Sequence, residues 1–272
     1  MKSSNIGGQA VMEGIMMRSG DQYSIGVRKP DGEIEVKVEP YRSWAKDSSI
    51  WKLPVFRGVA SFFESLVVGI RCLMYSASFI EDEEEDAKKP GKEKTEEQKE
   101  KEEKWLMYGT MTFSVIFSIA LFIMLPYFLA GFLRNVTTSE GVIAVAEACV
   151  RMILFLGYLV LISRMKDIQR VFMYHGAEHK CINCVEHGLE LNVENVMKSS
   201  REHKRCGTSF LLFVMIVSII FFLFIRVSSP VLRVVIRLLL MPVIAGVSYE
   251  IIRLAGKSDN KIVALLSKPG LM

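Results

Sequence analysis

"LMYGTMTFSVIFSIALFIMLPYFLAGFL" (residues 106–133) carries no charge from end to end. As a helix rising about 1.5 Å per residue it outreaches the ~30 Å hydrocarbon core of a bilayer, even with some tilt. A second uncharged stretch, "GTSFLLFVMIVSIIFFLFI" (207–225), follows later in the chain. "GVIAVAEACVRMILFLGYLVLIS" (141–163) and "PVLRVVIRLLLMPVIAGVSYEII" (230–252) have the length too, but include Glu147, Arg151, Arg233, Arg237 and Glu250. The mean hydropathy of +0.28 therefore averages over a segregated chain of apolar runs and charged connections. These runs predict an all-α polytopic membrane protein, with spans in 105–163 and 207–254.

The connections set the expected orientation. Arg164, Lys166, Arg170, Lys180, Lys198, Arg201, Lys204 and Arg205 crowd the loop 164–206, and Arg253, Lys257, Lys261 and Lys268 crowd the tail 255–272. Basic loops stay in the cytoplasm, so both, with the N-terminus, are expected on that side of a plasma membrane. "MKSSNIGGQAVMEG" (1–14) has no apolar core of the kind a cleavable signal needs. A net charge of +4 is too small to point to nucleic acid, and the bilayer is the expected partner. Cysteines in a cytoplasmic loop are expected reduced.

Within the segment 1–53, "YSIGVRKPDGEIEVKVEP" (23–40) reads as a cytoplasmic β-hairpin turning at KPDG. Ile25 and Val27 alternate with polar residues before the turn, and Ile34, Val36 and Val38 do so after it; a lone hairpin is marginally stable, so it is expected to rest on the rest of the cytoplasmic part. Residues 54–80 are apolar but punctuated by Arg57, Glu64 and Arg71 seven apart, a one-sided polar stripe that predicts an interfacial or re-entrant helix. The charged run 81–104 cannot bury a core and is expected as a disordered or loosely helical linker.

All four histidines lie between the second and third of the apolar runs of 105–254. Ile168, Phe172, His175, His179, Ile182 and Glu186 follow at alternating steps of four and three, one stripe of a helix running out of the membrane to Gly188. His175 and His179 then stand one turn apart, the spacing at which two imidazoles reach one metal. "HGAEH" is a His-x-x-Glu-His arrangement. In it two imidazoles hold a cation, an open position admits water, and the carboxylate, Glu178, takes the water's proton. For a third ligand, His203 ranks first, then Cys206, then Glu250 and Glu186. "CINC" (181–184) has redox spacing but falls inside the helix, and His187 reads as a solvated helix end. Glu13 stands among apolar neighbours and needs a partner such as Arg18, Arg205 or the metal, so the N-terminal segment is expected to fold back onto residues 175–206.

"GGQAVMEGIMMR" (7–18), "HGAEHK" (175–180) and "RCGTSF" (205–210) together resemble the YqhQ family of bacterial membrane proteins, a group of unknown function described as predicted metal-dependent enzymes. The resemblance covers nearly the whole chain outside the charged linker. It implies that Gly7, Gly8, Glu13, Gly14 and Arg18 form one motif, His175, Glu178, His179, Lys180 and Glu186 a second, and His203, Arg205, Cys206 and Gly207 a third. Lys204 stands where the family pattern has Pro, which loosens the backbone between His203 and Cys206. Cys181 is not a family position.

The reading that unites these features is a bacterial plasma-membrane hydrolase. It would hold a divalent metal, Zn2+ by preference, on His175, His179, His203 and Cys206 at the cytoplasmic surface. Glu178 would be catalytic and an unidentified membrane-adjacent molecule the substrate. The alternative is a non-enzymatic scaffold or transporter component with a structural metal. The residues do not fix an oligomeric state.

Overall fold

A computed structural model describes residues 4, 6–43, 49–86, 96–203, 206–225, 227 and 229–255. The chain forms two compact units. One comprises residues 1–85, 163–218 and 239–272, the other residues 86–162 and 219–238.

In the first unit four strands, β1 (Gly7–Val11), β2 (Gly14–Ser19), β3 (Gln22–Arg28) and β4 (Ile34–Pro40), form an antiparallel meander in the order β1-β2-β3-β4. The β3–β4 hairpin is the one expected. The β1–β2 hairpin is additional. Its two-residue turn, Met12–Glu13, places Glu13 at φ 48°, a left-handed conformation uncommon for a side-chain-bearing residue. Tyr23, Ile25 and Val27 of β3, with Val11 and Met16, form a buried cluster with Cys72 of helix α1 (Phe56–Asp86).

The two alternating patterns of this hairpin do not share a face. Ile25 pairs with Lys37 and Val27 with Glu35, so Ile34, Val36 and Val38 fall on the opposite face and are about 60% exposed. The loop Lys29–Glu33 between the paired ends Arg28 and Ile34 produces this offset.

Among the described residues, four helices are long and apolar enough to cross a membrane: Phe56–Ile80, Trp105–Asn135, Glu140–Ile162 and Val231–Leu254. The protein is a multi-pass membrane protein, largely helical, with a small N-terminal sheet. Residues 56–80, expected at the interface, are thus one continuous helix of spanning length, while the apolar helix Ser209–Phe224 is shorter. The polar stripe of α1 is used for pairing. Arg57 forms an ion pair with Glu250, and Glu64 accepts hydrogen bonds from Tyr41 Oη and Ser43 Oγ. Where α1 meets α8 (Pro230–Ala255), a Cβ on Gly58 would lie 2.7 Å from the carbonyl oxygen of Gly246, so only small residues let the two backbones approach.

The charged run is helical on both sides of residues 87–95, which lie outside the described residues. α1 continues to Asp86 and α2 (Glu96–Ile119) begins at Glu96, in keeping with the helix propensity of Glu, Lys and Gln. After α2 come a π-helical turn, Ala120–Met124, then α3 (Leu125–Gly131) and α4 (Glu140–Ile162). The helix expected to run unbroken out of the membrane is interrupted. α4 ends at Ile162, Met165 is extended, and α5 (Lys166–Glu186) starts afresh. α6 (Val193–Lys198) and α7 (Gly207–Phe224) follow. The tail 256–272 lies outside the described residues.

Candidate metal centre

α5 ends as its sequence predicts, with Gly188 at φ 70° just past it. The face of α5 carrying Arg170, Tyr174 and Glu178, at steps of four, meets the N-terminal segment. Arg170 donates two hydrogen bonds of 2.7 Å to the Glu13 carboxylate, and Tyr174 Oη donates a third of 3.1 Å. Further along, β1 comes so close that a Cβ on Gly8 would sit 2.4 Å from Oε1 of Glu178. Near the end of α5, the amide and hydroxyl of Ser4 both donate to Oε1 of Glu186 at 2.9 Å. The first motif thus folds back onto α5. Glu13 finds Arg170, however, and not Arg18, which stacks over the Tyr41 ring. Arg205 lies outside the described residues.

The end of α6 and the loop after it are stitched to the neighbouring face of α5. Lys180 Nζ donates to the carbonyl of Met197. Asn183 Nδ2 donates to those of Ser200 and Glu202 at 2.7 and 2.9 Å, and His179 Nδ1 lies 2.7 Å from the carbonyl of Arg201. Asn183, 3% exposed, is a positioning residue that sequence reading missed. Its one signal is a polar amide on the buried side of the helix.

These bonds bring Cys206 to the paired imidazoles. The ligand atoms of His175, His179 and Cys206 all lie within 4.8 Å of one another, and Nε2 of His175 is 3.2 Å from the Cys206 sulfur. The His175 and His179 rings are 4.2 Å apart between centroids. Each imidazole is held from behind: Nδ1 of His175 contacts Glu178 Oε2 at 3.0 Å, and Nδ1 of His179 faces a carbonyl. A metal-ligating histidine ordinarily has such support on its far nitrogen. Hydrogen bonds with Cys206 and Glu178 push His175 up to about 10 against burial. Burial lowers His179, but Cys206 and the Arg201 carbonyl together outweigh it and the net shift is upward. Burial pushes the Cys181 thiol up, which disfavours redox use of CINC.

The remaining candidates divide. His203, 6% exposed, has its ring 5.7 Å from that of His179, and its Nε2 lies 3.4 Å from Glu186 Oε2. It borders the His175–His179–Cys206 group but is not part of it. Glu186 is engaged by Ser4 and His203. Glu250 is bound up with Arg57, which gives it a different role from a ligand. His187 faces the carbonyl of Asn183 at the helix end. The same unit has a cavity of about 480 Å³ lined by Met17, Tyr23 and Val38 of the sheet and by Cys181, Ile182 and Val185 of α5.

The family model described as "Protein of unknown function (DUF1385)" matches residues 53–272. The chain is 37% identical over 267 residues to the "Uncharacterized protein YqhQ" of Bacillus subtilis (strain 168), covering 97% of this chain and 83% of that protein. No solved structure matches the chain. A family match over residues 53–272, with a relative of this identity along almost the full length, places the chain in the DUF1385 family.

Proposed function

We propose that the chain binds one divalent metal through His175, His179 and Cys206, and that the site serves hydrolysis of a membrane-adjacent molecule on the cytoplasmic side. The observation that carries this reading is the convergence of three ligand atoms within 4.8 Å while both Nδ1 atoms are anchored away from them. Two imidazoles and a thiolate are a borderline-soft set, which favours zinc over magnesium or calcium. Three protein ligands leave a coordination position open, and a metal there would supply Lewis acidity and bring the pKa of a water toward neutrality.

The chain's own residues divide the remaining work. Glu178, first expected to accept the water's proton, has one oxygen on His175 and the other against β1 at Gly8, so here it positions His175. The proton acceptor assigned in its place is His203, backed by the Glu186 carboxylate. The apolar cavity shares α5 with the histidines, His179 and Ile182 being one turn apart, and its volume suits a small apolar substrate.

The burial of His203 beside His179 favours a second reading, in which it is a fourth ligand and the metal a structural clamp. Metal analysis of the protein purified in detergent separates the two. In the hydrolase reading His175→Ala, His179→Ala and Cys206→Ala lose stoichiometric zinc while His203→Gln keeps it. Loss in His203→Gln supports the clamp, and unchanged zinc in His175→Ala rejects the site.

A further inference from the structure

The second unit holds a charged cluster that the metal centre does not use. Glu147 and Arg151 of α4, with Arg233 and Arg237 of α8, are all buried and line one cavity of about 470 Å³. Arg151 Nη2 donates to Glu147 Oε1 at 2.7 Å, and Arg237 Nη2 donates to Oε2 at 2.9 Å. Arg151 Nε reaches the carbonyl of Phe122, in the π-helical turn, at 3.2 Å. Arg233 donates from Nε and Nη2 to the carbonyl of Val227 and sits over the Tyr127 ring. The guanidiniums of Arg151 and Arg237 both stack on Phe222, at 4.8 and 4.9 Å from its centroid.

The charges do not balance. Among the described residues lining the cavity, three guanidiniums face one buried carboxylate, and the other acid, Glu140, is exposed and pairs with Arg134. Arg237 is 3% exposed, yet its Nε has no hydrogen-bond partner among the described residues. Its Nη1 touches Glu147 at 2.5 Å without hydrogen-bond alignment. Buried cations need counter-charge, and a buried donor without an acceptor is costly. A bundle needing only neutrality would have a second acid here.

We infer that this cavity is an oxyanion site, and that its ligand is a phosphate monoester or inorganic phosphate. The surplus of two positive charges matches the roughly −1.5 to −2 of a phosphomonoester near neutral pH better than the single charge of a carboxylate or phosphodiester. Guanidiniums are the donors that bind phosphate oxygens in pairs, and Arg237 Nε supplies an unused one. Glu147 lies seven residues into α4, about 10 Å along the helix, and Arg233 and Arg237 lie within two turns of the start of α8. That depth suits a headgroup phosphate at the membrane boundary, and a soluble phosphate has the same chemistry.

The test uses the full chain in a neutral maltoside detergent. It is titrated with inorganic phosphate, with short-chain phosphatidic acid and with phosphatidylcholine of equal chain length, and followed by calorimetry and thermal unfolding. Binding of phosphatidic acid but not inorganic phosphate identifies a lipid source, and binding of both identifies the phosphate group itself. Arg237→Gln and Arg233→Gln weaken binding about tenfold or more. Glu147→Gln tightens it, because the competing carboxylate is gone. Where Arg237→Gln fails to fold, the opposite responses of Arg233→Gln and Glu147→Gln decide. The inference is overturned if phosphatidylcholine binds as well as phosphatidic acid and inorganic phosphate does nothing. Unaltered binding in Arg233→Gln together with no gain in Glu147→Gln overturns it equally.

Discussion

The candidate metal centre of the first unit and the arginine cluster of the second are both largely buried and polar, but they are opposite in kind. Around His175 and His179 the surplus is in electron-pair donors: two imidazole Nε2 atoms, the Cys206 sulfur and the carboxylates of Glu178 and Glu186. Around Glu147 the surplus is in proton donors, with two guanidiniums bonded to the acid and that of Arg233 lining the same cavity. A protein interior cannot leave either surplus uncompensated. The first arrangement therefore favours a cation and the second an anion. The sign of the imbalance says more about the ligand than burial or the number of charges does.

The contrast breaks most sharply at Glu147. Glu147→Leu leaves three buried guanidiniums with no carboxylate and should destabilise the protein by about 3–5 kcal/mol in chemical denaturation, with part of the loss recovered by added phosphate. In the metal centre the corresponding substitution is gentler, because Glu178 acts through His175. Glu178→Gln keeps the size and a hydrogen-bond acceptor but loses the charge. It should weaken zinc by about 10- to 100-fold in competition with a chromogenic chelator. A loss of that size with the zinc stoichiometry intact at saturation marks a positioning residue. Complete loss of zinc would make Glu178 a ligand and undo the assignment.

Gly8 tests how the sheet enters this centre. Its Cβ would collide with Oε1, Cδ and Cγ of Glu178, all within 2.7 Å, so the carboxylate must shift and lose its contact with His175 or β1 must move. Gly8→Ala should cost about 1–3 kcal/mol, read from urea unfolding in detergent, and weaken zinc along with it. Gly7→Ala, where no atom lies within 4 Å, should do neither.

What could be read in the chain followed from local periodicity. The stripe from Ile168 to Glu186 was legible because α5 alone creates it, and so were its end at Gly188 and the apolar runs. The β1–β2 hairpin was not. Between Gly7 and Ser19 the apolar residues come in two runs of three, Ala10–Met12 and Ile15–Met17, so no alternation marks a strand, and the turn at Met12–Glu13 lacks the Asn-Gly or Asp-Gly signature. The order of the third ligands was also hidden. His203 and Cys206 precede α7 and do not share a helical face, so their spacing carries no directional information. Glu250 was a plausible ligand by depth alone, and only the fold brings Arg57, 193 positions away, to its carboxylate. Charge balance across separate helices is likewise tertiary. Glu147 and Arg151 could be paired from a step of four, and Arg233 and Arg237 read as either snorkelling or meeting Glu147, but only the fold decides between the two and sets the surplus.

The smallest effect concerns the clasp that holds the N-terminal hairpin to the start of α5. The Arg170 guanidinium, bonded twice to Glu13, holds that carboxyl below its usual value of 4.5, against the opposing effect of burial. A carboxyl whose folded pKa is depressed contributes stability above its unfolded pKa, and that contribution disappears as the pH falls through the folded value. The clasp therefore adds to stability at neutral pH and is lost in acid, over a window that begins near pH 4.5 and extends below it. Glu13→Gln removes the titrating group, so the difference in thermal midpoint between variant and wild type should be present at neutral pH and vanish in acid. Because Arg170 is half exposed, the difference should also shrink with added salt, whereas the effect of Gly8→Ala, being steric, should not. A Glu13→Gln difference that persists unchanged in acid would mean that the left-handed turn at Glu13 holds the hairpin, and not the charge.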